Sequence, residues 1–383
     1  MRLGDIASVK AGNVAPKKGL FSERGIPFVR AGSLSRLLDG ESPRSLERID
    51  KMTADKLGMQ LFPEGTILFA KSGMSCMTGN VYVLKEPCYV VSHLACVAID
   101  NTELTLYLKH YFRWNKPNAL VENPSFPSIR LGKIKDMEIR LPDARQIARW
   151  VSTLERIEGL METHEHQLSL LDDLVKSRFV EMFGDPTNGV AWPSKRLDEI
   201  CTIVTGNTPP RKDPSNYGDY IEWCKTDNIT DAKYLTTASE MLSEEGALRG
   251  RVVPAGSILM ACIAGSVKSI GKVAVADRSV AFNQQINALI PSEMIDVEYL
   301  LWALRLSKDY LCSGVNMQLK GILNKTSLSA KSFCVPPLAL QQQFAAFVAE
   351  VDKSRFVVQQ QVVKYNDVIA SSGIAIIGRD ELV

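Results

Sequence analysis

The chain contains two diverged copies of one unit, and this repetition constrains its fold more than any other feature of its 383 residues. Matching segments recur in the same order, about 190 to 195 residues apart. Five matches in one register do not arise easily by chance. The matched segments are 3–6 with 197–200, 10–13 with 204–207, 25–29 with 218–223, 63–68 with 254–259, and 139–142 with 334–337.

Each copy begins with a mixed α/β (α+β) domain of about 140 residues. Short apolar runs bounded by turn residues predict strands, as at 81–84 and 272–275. Helical patterns follow at 105–112 and 298–304. These features predict α/β domains at 1–141 and 188–335, a central helical spacer at 142–187, and a distal helical spacer with the C-terminal tail at 336–383.

Each copy ends in a long helix whose apolar residues alternate at spacings of three and four. This spacing keeps a narrow stripe facing a partner helix and predicts an antiparallel coiled coil with an internal pseudo-two-fold repeat. Its predicted contact residues are Leu154, Ile157, Met161, Leu168, Leu171 and Val175, with Val348, Val351, Val358, Val362 and Tyr365.

The alternative is that each helix only covers its own domain. A helix of about 35 residues is roughly 50 Å long, which is more than one small domain can cover. His164, Arg178 and Arg355 interrupt the stripes, and Gly373 is expected to end the second helix.

The composition argues against a membrane protein, a disulfide scaffold and a metal protein. No apolar run reaches the roughly 20 residues of a membrane span, and the start lacks an apolar signal segment, so a cytoplasmic location is expected. The eight cysteines are scattered without a Cys-x-x-Cys pair, which favours buried free thiols. His164 and His166 point in different directions on a helix, and we expect no metal site.

Four motifs make the chain similar to the specificity subunits of type I restriction-modification systems. They are Leu-Gly-Asp-Ile-Ala at 3–7, Pro-x-Gly-x-Ile-Leu at 63–68 and 254–259, Leu-Leu-Asp-Asp-Leu-Val-Lys-Ser-Arg-Phe at 170–179, and Pro-Pro-Leu-Ala-Leu-Gln-Gln-Gln-Phe-Ala at 336–345. The resemblance covers nearly the whole chain and includes its two-copy layout.

The resemblance implies two target recognition domains, each reading one half of a bipartite, asymmetric site on double-stranded DNA. It also implies a scaffold for methyltransferase subunits, two in number, and in restriction complexes for nuclease subunits. S-adenosylmethionine would then be the cofactor of the partners, with none in this chain.

No catalytic motif is complete. The string 207–211 has an extra Thr and lacks the aromatic of an amino-methyltransferase loop, and 265–273 lacks the spacing of a phosphate-binding loop. We therefore interpret the second string as a turn into a strand and expect no enzyme activity in this chain.

Exposed loops that recur in both copies carry the side chains that contact bases and phosphates in DNA complexes. The predicted DNA-binding residues are Asn13, Lys17, Lys18, Arg30, Ser33, Lys71, Ser72, Ser128 and Arg130, and then Asn207, Thr208, Arg211, Lys212, Lys225, Asn228, Gln318, Lys320, Asn324 and Lys325.

Two alternatives remain open at this point. Tandem domains can also form a protein-binding scaffold, whose binding would be insensitive to salt, whereas phosphate contacts weaken steeply as salt rises. The same architecture would also serve a modification-only phage-defence system, since the difference lies in the partners.

Overall fold

A computed structural model describes residues 1–188, 192–315 and 321–377. The chain divides into two compact units, one formed by residues 1–164 with the chain from 360 onward, and the other by residues 165–359.

The α/β part of the first unit has eight short strands and five helices. The strands are β1 Ser8–Ala11, β2 Ile26–Val29, β3 Arg48–Ile49, β4 Leu61–Phe62, β5 Ile67–Ala70, β6 Val81–Val83, β7 Cys88–Val90 and β8 Leu94–Ala98. The helices are α1 Leu3–Ile6, α2 Ser33–Leu38, α3 Lys51–Lys56, α4 Thr102–Trp114 and α5 Leu131–Lys135.

Two four-stranded sheets organise these strands. One is antiparallel, in the order β1-β8-β5-β6. The other has the order β3-β2-β7-β4, and its central strands β2 and β7 are parallel. Strands β5 and β7 are buried on both faces, so their sequences are continuous apolar runs and do not alternate between apolar and polar residues.

Within the described residues, the α/β part of the second unit has twelve strands and five helices. The strands are β9 Ser194–Arg196, β10 Cys201–Thr205, β11 Tyr217–Cys224, β12 Met241–Leu242, β13 Val252–Val253, β14 Ile258–Ala261, β15 Ile263–Ala264, β16 Val273–Val275, β17 Val280–Phe282, β18 Ile286–Pro291, β19 Gly321–Ile322 and β20 Ser332–Cys334. The helices are α7 Leu197–Ile200, α8 Glu244–Arg249, α9 Val297–Leu306, α10 Lys308–Leu311 and α11 Lys325–Ser329.

The second unit repeats the topology of the first. Its antiparallel sheet runs β10-β18-β14-β16, and its mixed sheet runs β12-β11-β17-β13 with β11 and β17 parallel. Two further pairs, β15 with β19 and β20 with β9, correspond to the isolated bridges Ser72–Ser128 and Arg2–Glu138 of the first copy. The repetition inferred from the sequence is therefore present in the fold.

The Pro-x-Gly-x-Ile-Leu motifs show why the two copies fold alike. Gly65 and Gly256 have φ of 82° and 85°, in the left-handed region that glycine adopts without steric cost. In each copy the glycine N–H donates to a backbone carbonyl at 2.8 Å, Leu84 in one and Ala276 in the other. The motif is thus a tight turn that delivers the chain into β5 or β14.

The remaining two helices are 40 residues long each. They are α6, Ala144–Phe183, between the two α/β parts, and α12, Leu338–Ile377, after the second part. In the second unit, Phe179 packs against Phe344 with ring centroids 5.3 Å apart, and Arg355 pairs with Asp172 at 2.8 Å. As residue numbers fall along α6 they rise along α12, so the two helices run antiparallel, as predicted.

The residues that interrupt the apolar stripes have partners of their own. In the first unit, His164 stacks on Tyr365 with ring centroids 5.6 Å apart. In the second unit, the Arg178 guanidinium lies 5.8 Å from the centre of the Phe347 ring. The polar residues that interrupt the apolar stripes are therefore accommodated by aromatic and ionic contacts.

The prediction that Gly373 ends the second helix is wrong, because α12 continues to Ile377. A Cβ atom on Gly373 would lie 2.5 Å from the Trp114 indole, so this glycine permits close packing instead of capping the helix. Glycine serves both purposes, and only the neighbouring tryptophan distinguishes them.

All eight cysteines are free thiols, and seven of them are buried. Burial raises the pKa of the Cys88 and Cys201 thiols to about 12. Such thiols stay protonated near neutral pH and pack as small apolar groups.

Candidate nucleic-acid interface

Asn13 and Asn207, the first pair of predicted DNA-binding residues, form hydrogen bonds from their side chains to the backbone. The Asn13 side-chain amide donates to the Gln60 carbonyl at 2.8 Å and its oxygen accepts from the Gln60 N–H at 2.7 Å. Asn207 donates to the Arg249 carbonyl at 2.7 Å. These bonds hold the loops that follow β1 and β10 at the same place in both copies.

Ser33 and Asn228 lie inside the fold, each 8% exposed. The Asn228 oxygen accepts from the Lys225 N–H at 2.9 Å, and its amide donates to the Thr237 carbonyl at 3.1 Å. The structure thus places both residues away from the surface that DNA could reach, and Asn228 shapes the loop that carries Lys225.

Arg30 lies at the end of β2, above a pair of aromatic rings. Phe21 and Phe28 pack edge to face at 5.6 Å, and the Arg30 guanidinium lies 5.2 and 5.5 Å from the two ring centres. Its Nε donates to a carboxylate oxygen of Glu47 at 2.7 Å. This ion pair is partly accessible to solvent, since the two side chains are 41% and 44% exposed.

An equivalent cluster lies on β11 and its flanking loops. Tyr217 and Trp223 pack edge to face at 6.3 Å, and the Arg211 guanidinium lies 5.4 and 5.2 Å from their centres. Arg211 donates to Glu240 at 2.9 Å, and Lys225, above the Trp223 ring, donates to the same carboxylate. The hydrogen bond from Lys225 lowers the pKa of Glu240, although burial opposes the shift.

The loop that carries Arg211 is tied to these rings. The Trp223 indole N–H donates to the Asn207 carbonyl at 3.2 Å, and the Tyr217 hydroxyl donates to the Pro209 carbonyl at 2.9 Å. Thr208 lies in the same loop and donates to Gln284. The aromatic pair therefore fixes the backbone from which Arg211 extends.

Lys17, Lys18 and Lys212 lie on these same loops and are exposed. Exposed lysines beside an ordered cation cluster suit contacts to phosphate, which fix position on a duplex without reading its sequence.

The fold brings the predicted segments at 71–73 and 127–130 together. The Ile129 N–H donates to the Lys71 carbonyl at 2.7 Å, and Ser72 and Ser128 form an isolated bridge. Ser128 and Arg130 are exposed, while Lys71 is half-buried.

The same arrangement recurs where β15 pairs with β19. The Leu323 N–H donates to the Cys262 carbonyl, so Lys71 corresponds to Cys262. A direct match of segment 71–73 with 264–266 in the sequence would instead have paired Lys71 with Ala264. Asn324 caps α11 by accepting from the Ser327 N–H, and Lys325 is exposed. Gln318 and Lys320 lie outside the described residues.

The sequence reasoning missed the two glutamates, Glu47 and Glu240, and the aromatic pairs beneath the cations. A signal was available, because each glutamate directly precedes an edge strand at a matching position of the two copies. Phosphate contacts favour basic residues, so a search for such contacts does not select glutamates.

Among the residues that the structure describes, one group of side chains offers the donor types of a metal site: His110 with Glu155 and Glu158. Lys109 donates to Glu155 at 2.8 Å and to Glu158 at 2.6 Å, and Arg113 also donates to Glu158, so two cations already balance the two carboxylates. Burial lowers the pKa of His110. This cluster ties α4 to α6 within the first unit, and a metal would have to displace Lys109.

The predicted coiled-coil residues are all buried or half-buried. Five of them are no more than 8% exposed: Leu154, Ile157, Val175, Val348 and Val351. Other apolar side chains on the same helices face outward, among them Leu170 at 51%, Leu174 at 48% and Phe356 at 61% exposure. Among the described helices, none is both long and apolar enough to cross a membrane.

Comparison with known proteins agrees with this architecture. Residues 1–170 and 189–362 match the model of the type I restriction modification DNA specificity domain. The chain belongs to this family.

Two curated relatives match part of the chain. An alignment over 164 residues, which covers 40% of this chain, shows 28% identity to the type I restriction enzyme HindI specificity subunit of Haemophilus influenzae and covers 34% of that protein. A segment of 178 residues, 44% of this chain, is 28% identical to the MjaIX specificity subunit of Methanocaldococcus jannaschii and spans 40% of it. The matched segment thus spans well under half the length of each relative.

Two solved structures share the fold across nearly the whole chain. The S subunit of a type I restriction-modification system from M. genitalium superposes with a TM-score of 0.57 at 12% identity, covering 98% of this chain and 95% of that one. A chain from the structural description of complex assembly and conformational transition in the type I R-M system has a TM-score of 0.55 at 18% identity, covering 100% and 97%. The predicted fold class is therefore confirmed.

Proposed function

We propose that this chain is the DNA-sequence-specificity subunit of a type I restriction-modification complex and reads a bipartite, asymmetric site on double-stranded DNA. The observation that carries the proposal is the repeated cluster of a cation above an aromatic pair, at Arg30 in one copy and at Arg211 with Lys225 in the other. Family membership supplies the class of complex.

The two half-sites differ because the two clusters differ. The first copy places one cation, Arg30, above two phenylalanines. The second places Arg211 above a tyrosine and a tryptophan, and Lys225 above the same tryptophan. Different donors at equivalent positions recognise different base edges.

Recognition domains at 1–141 and 188–335, with helical spacers at 142–187 and 336–383, are the division that we propose. The paired helices then set the length of the unread spacer. The chain itself carries no catalytic role in this proposal.

The partners in this proposal are two methyltransferase subunits, which bind S-adenosylmethionine and methylate adenine, and, in a restriction complex, nuclease subunits. Leu170 and Leu174, one turn apart on α6 and about half exposed, support a docking role for that helix. Large apolar side chains on a polar helix face are typical of a surface that meets another protein.

Single-molecule sequencing for methylated adenine tests the proposal. Cells carrying this chain with its neighbouring methyltransferase are compared with cells in which only this chain is deleted. Loss of methylation at one bipartite, asymmetric motif upon deletion supports the proposal and reveals the spacer.

An unchanged methylation pattern, with the system shown to be expressed, refutes the proposal and favours a protein-binding scaffold. Methylation without DNA cleavage in the same cells identifies a modification-only system, which has the same specificity subunit and different partners.

A further inference from the structure

Glu47 and Glu240 occupy the same position in the two copies. The Phe28 N–H donates to the Glu47 carbonyl at 2.8 Å, and the Trp223 N–H donates to the Glu240 carbonyl at 2.9 Å. Each glutamate is therefore held opposite the aromatic residue of the central strand by the same backbone hydrogen bond.

The ion pair is retained although the cation changes. Arg30 and Lys225 each follow the aromatic residue by two positions, and each donates to the glutamate of its own copy. In the second copy Arg211 joins the same carboxylate from the preceding loop. A solvated surface charge has no reason to recur in this way between two diverged copies.

The carboxylate and the rings together fix the direction of the cation. An arginine stacked on aromatic faces and bonded through one edge keeps its remaining N–H donors pointing along one direction. The Arg211 and Glu240 side chains are 56% and 33% exposed, so the unused donors face solvent.

A carboxylate beside a cation changes what the cation does on DNA. It offsets the charge of Arg30 in the first copy and the charge of one of the two cations in the second, which weakens sequence-independent attraction to phosphate. The ordered donors still suit the O6 and N7 acceptors of guanine, and the glutamate itself is an acceptor for the cytosine amino group.

We propose that Glu47 and Glu240 are specificity-determining residues that reserve the adjoining cations for base edges, each in one half of the DNA site. This inference rests on the proposed function. It adds a role for two acidic residues, which contacts to phosphate would not require.

The substitutions Glu47→Gln and Glu240→Gln, each in the full chain expressed with its methyltransferase, test the inference through maps of methylated adenine. Each variant is expected to relax the motif in one half, a different half for each, while the other half and the spacer stay unchanged. With the complex bound to duplexes, discrimination between the cognate site and a single mismatch in that half falls about tenfold, and affinity for unrelated DNA rises.

Glu245→Gln and Glu41→Gln are the matched controls. They make the same change of charge in the same domains, at surface pairs with Arg249 and Arg36 that have no aromatic pair beneath them. Both controls are expected to keep the full motif.

The inference is overturned if both glutamine variants keep the wild-type motif, or if affinity rises equally on cognate and unrelated DNA, as a simple charge effect requires. Thermal unfolding checks that the variants fold. If one glutamine variant does not fold, the variant in the other half-site tests the inference, together with Glu240→Asp. Failure of the proposed function is distinct, since the wild-type chain would then show no bipartite motif at all.

Discussion

Gly373 of α12 lies directly against the indole of Trp114 in the first unit, where a Cβ atom would come within 2.5 Å of Nε1. That distance is shorter than any contact a side chain tolerates, so the helix approaches α4 only because this residue has no side chain.

Gly373→Ala is expected to lower the free energy of unfolding by about 1 kcal/mol. Overpacking costs about 1–3 kcal/mol and is partly offset by the better helix propensity of alanine. Urea unfolding measures the change, with Gly159→Ala as control, because Gly159 lies on α6 with nothing near its missing Cβ. The control should be stabilised, and equal stabilisation of both variants would contradict the packing role.

The stability of the chain should fall in acid through His110. Burial lowers the pKa of this imidazole from its ordinary value of 6.5, so the folded state favours the neutral ring. The unfolded chain binds a proton first as pH falls, and stability is therefore present above 6.5 and lost below it.

Urea unfolding between about pH 5 and pH 8 measures this dependence. His110→Gln is expected to flatten it over the range below 6.5, where burial of the imidazole matters. His166→Gln, on the exposed face of α6, controls for the loss of an imidazole and should keep the wild-type dependence. A wild-type slope in His110→Gln would show that other groups cause the acid loss.

Lys212 and Arg211 should affect DNA binding differently although they are neighbours. Lys212→Ala is expected to weaken binding to all sequences and to reduce the slope of log K against log salt by about 0.9, as for one lost phosphate contact. Arg211→Ala should lower the discrimination in the second half-site with little change in slope. Titrations of the complex on cognate and mismatched duplexes at several salt concentrations distinguish the two. Unchanged discrimination in Arg211→Ala would show that Arg211 does not read a base.

Leu171 and Leu174 on α6 should have separable roles. Leu171 is half-buried against the core of the second unit, whereas Leu174 is 48% exposed. Leu171→Asp is expected to lower the free energy of unfolding by about 2–5 kcal/mol. Leu174→Asp should leave it unchanged and weaken co-purification with the methyltransferase subunit, and normal co-purification would exclude this surface from docking.

Local signals in the sequence were enough to predict the helices and strands and their repetition in two copies. The turn before β5 needs a left-handed residue, and glycine at 65 and 256 supplies it in both copies. Apolar alternation at three and four residues likewise predicts α6, because a helix buries one stripe whatever it packs against.

The candidate site was only partly predictable. Recurring basic residues on loops select Arg30 and Arg211, whose side chains are exposed, whereas residue type alone selects Ser33 and Asn228, which are buried. Exposure depends on how distant segments pack, which residue type does not encode. Glu240 was missed because its role arises only from the two cations beside it.

The sequence by itself determined the two-copy organisation, the α/β domains and the long apolar stripes, since periodicity and turn residues act over a few neighbouring positions. Which distant residues come into contact depended on the tertiary structure. Arg211 lies 29 residues from Glu240, and Trp114 lies far from Gly373 in the chain, yet each pair is in contact. Such contacts follow from sheet register and helix packing, which bring together residues that no local pattern relates.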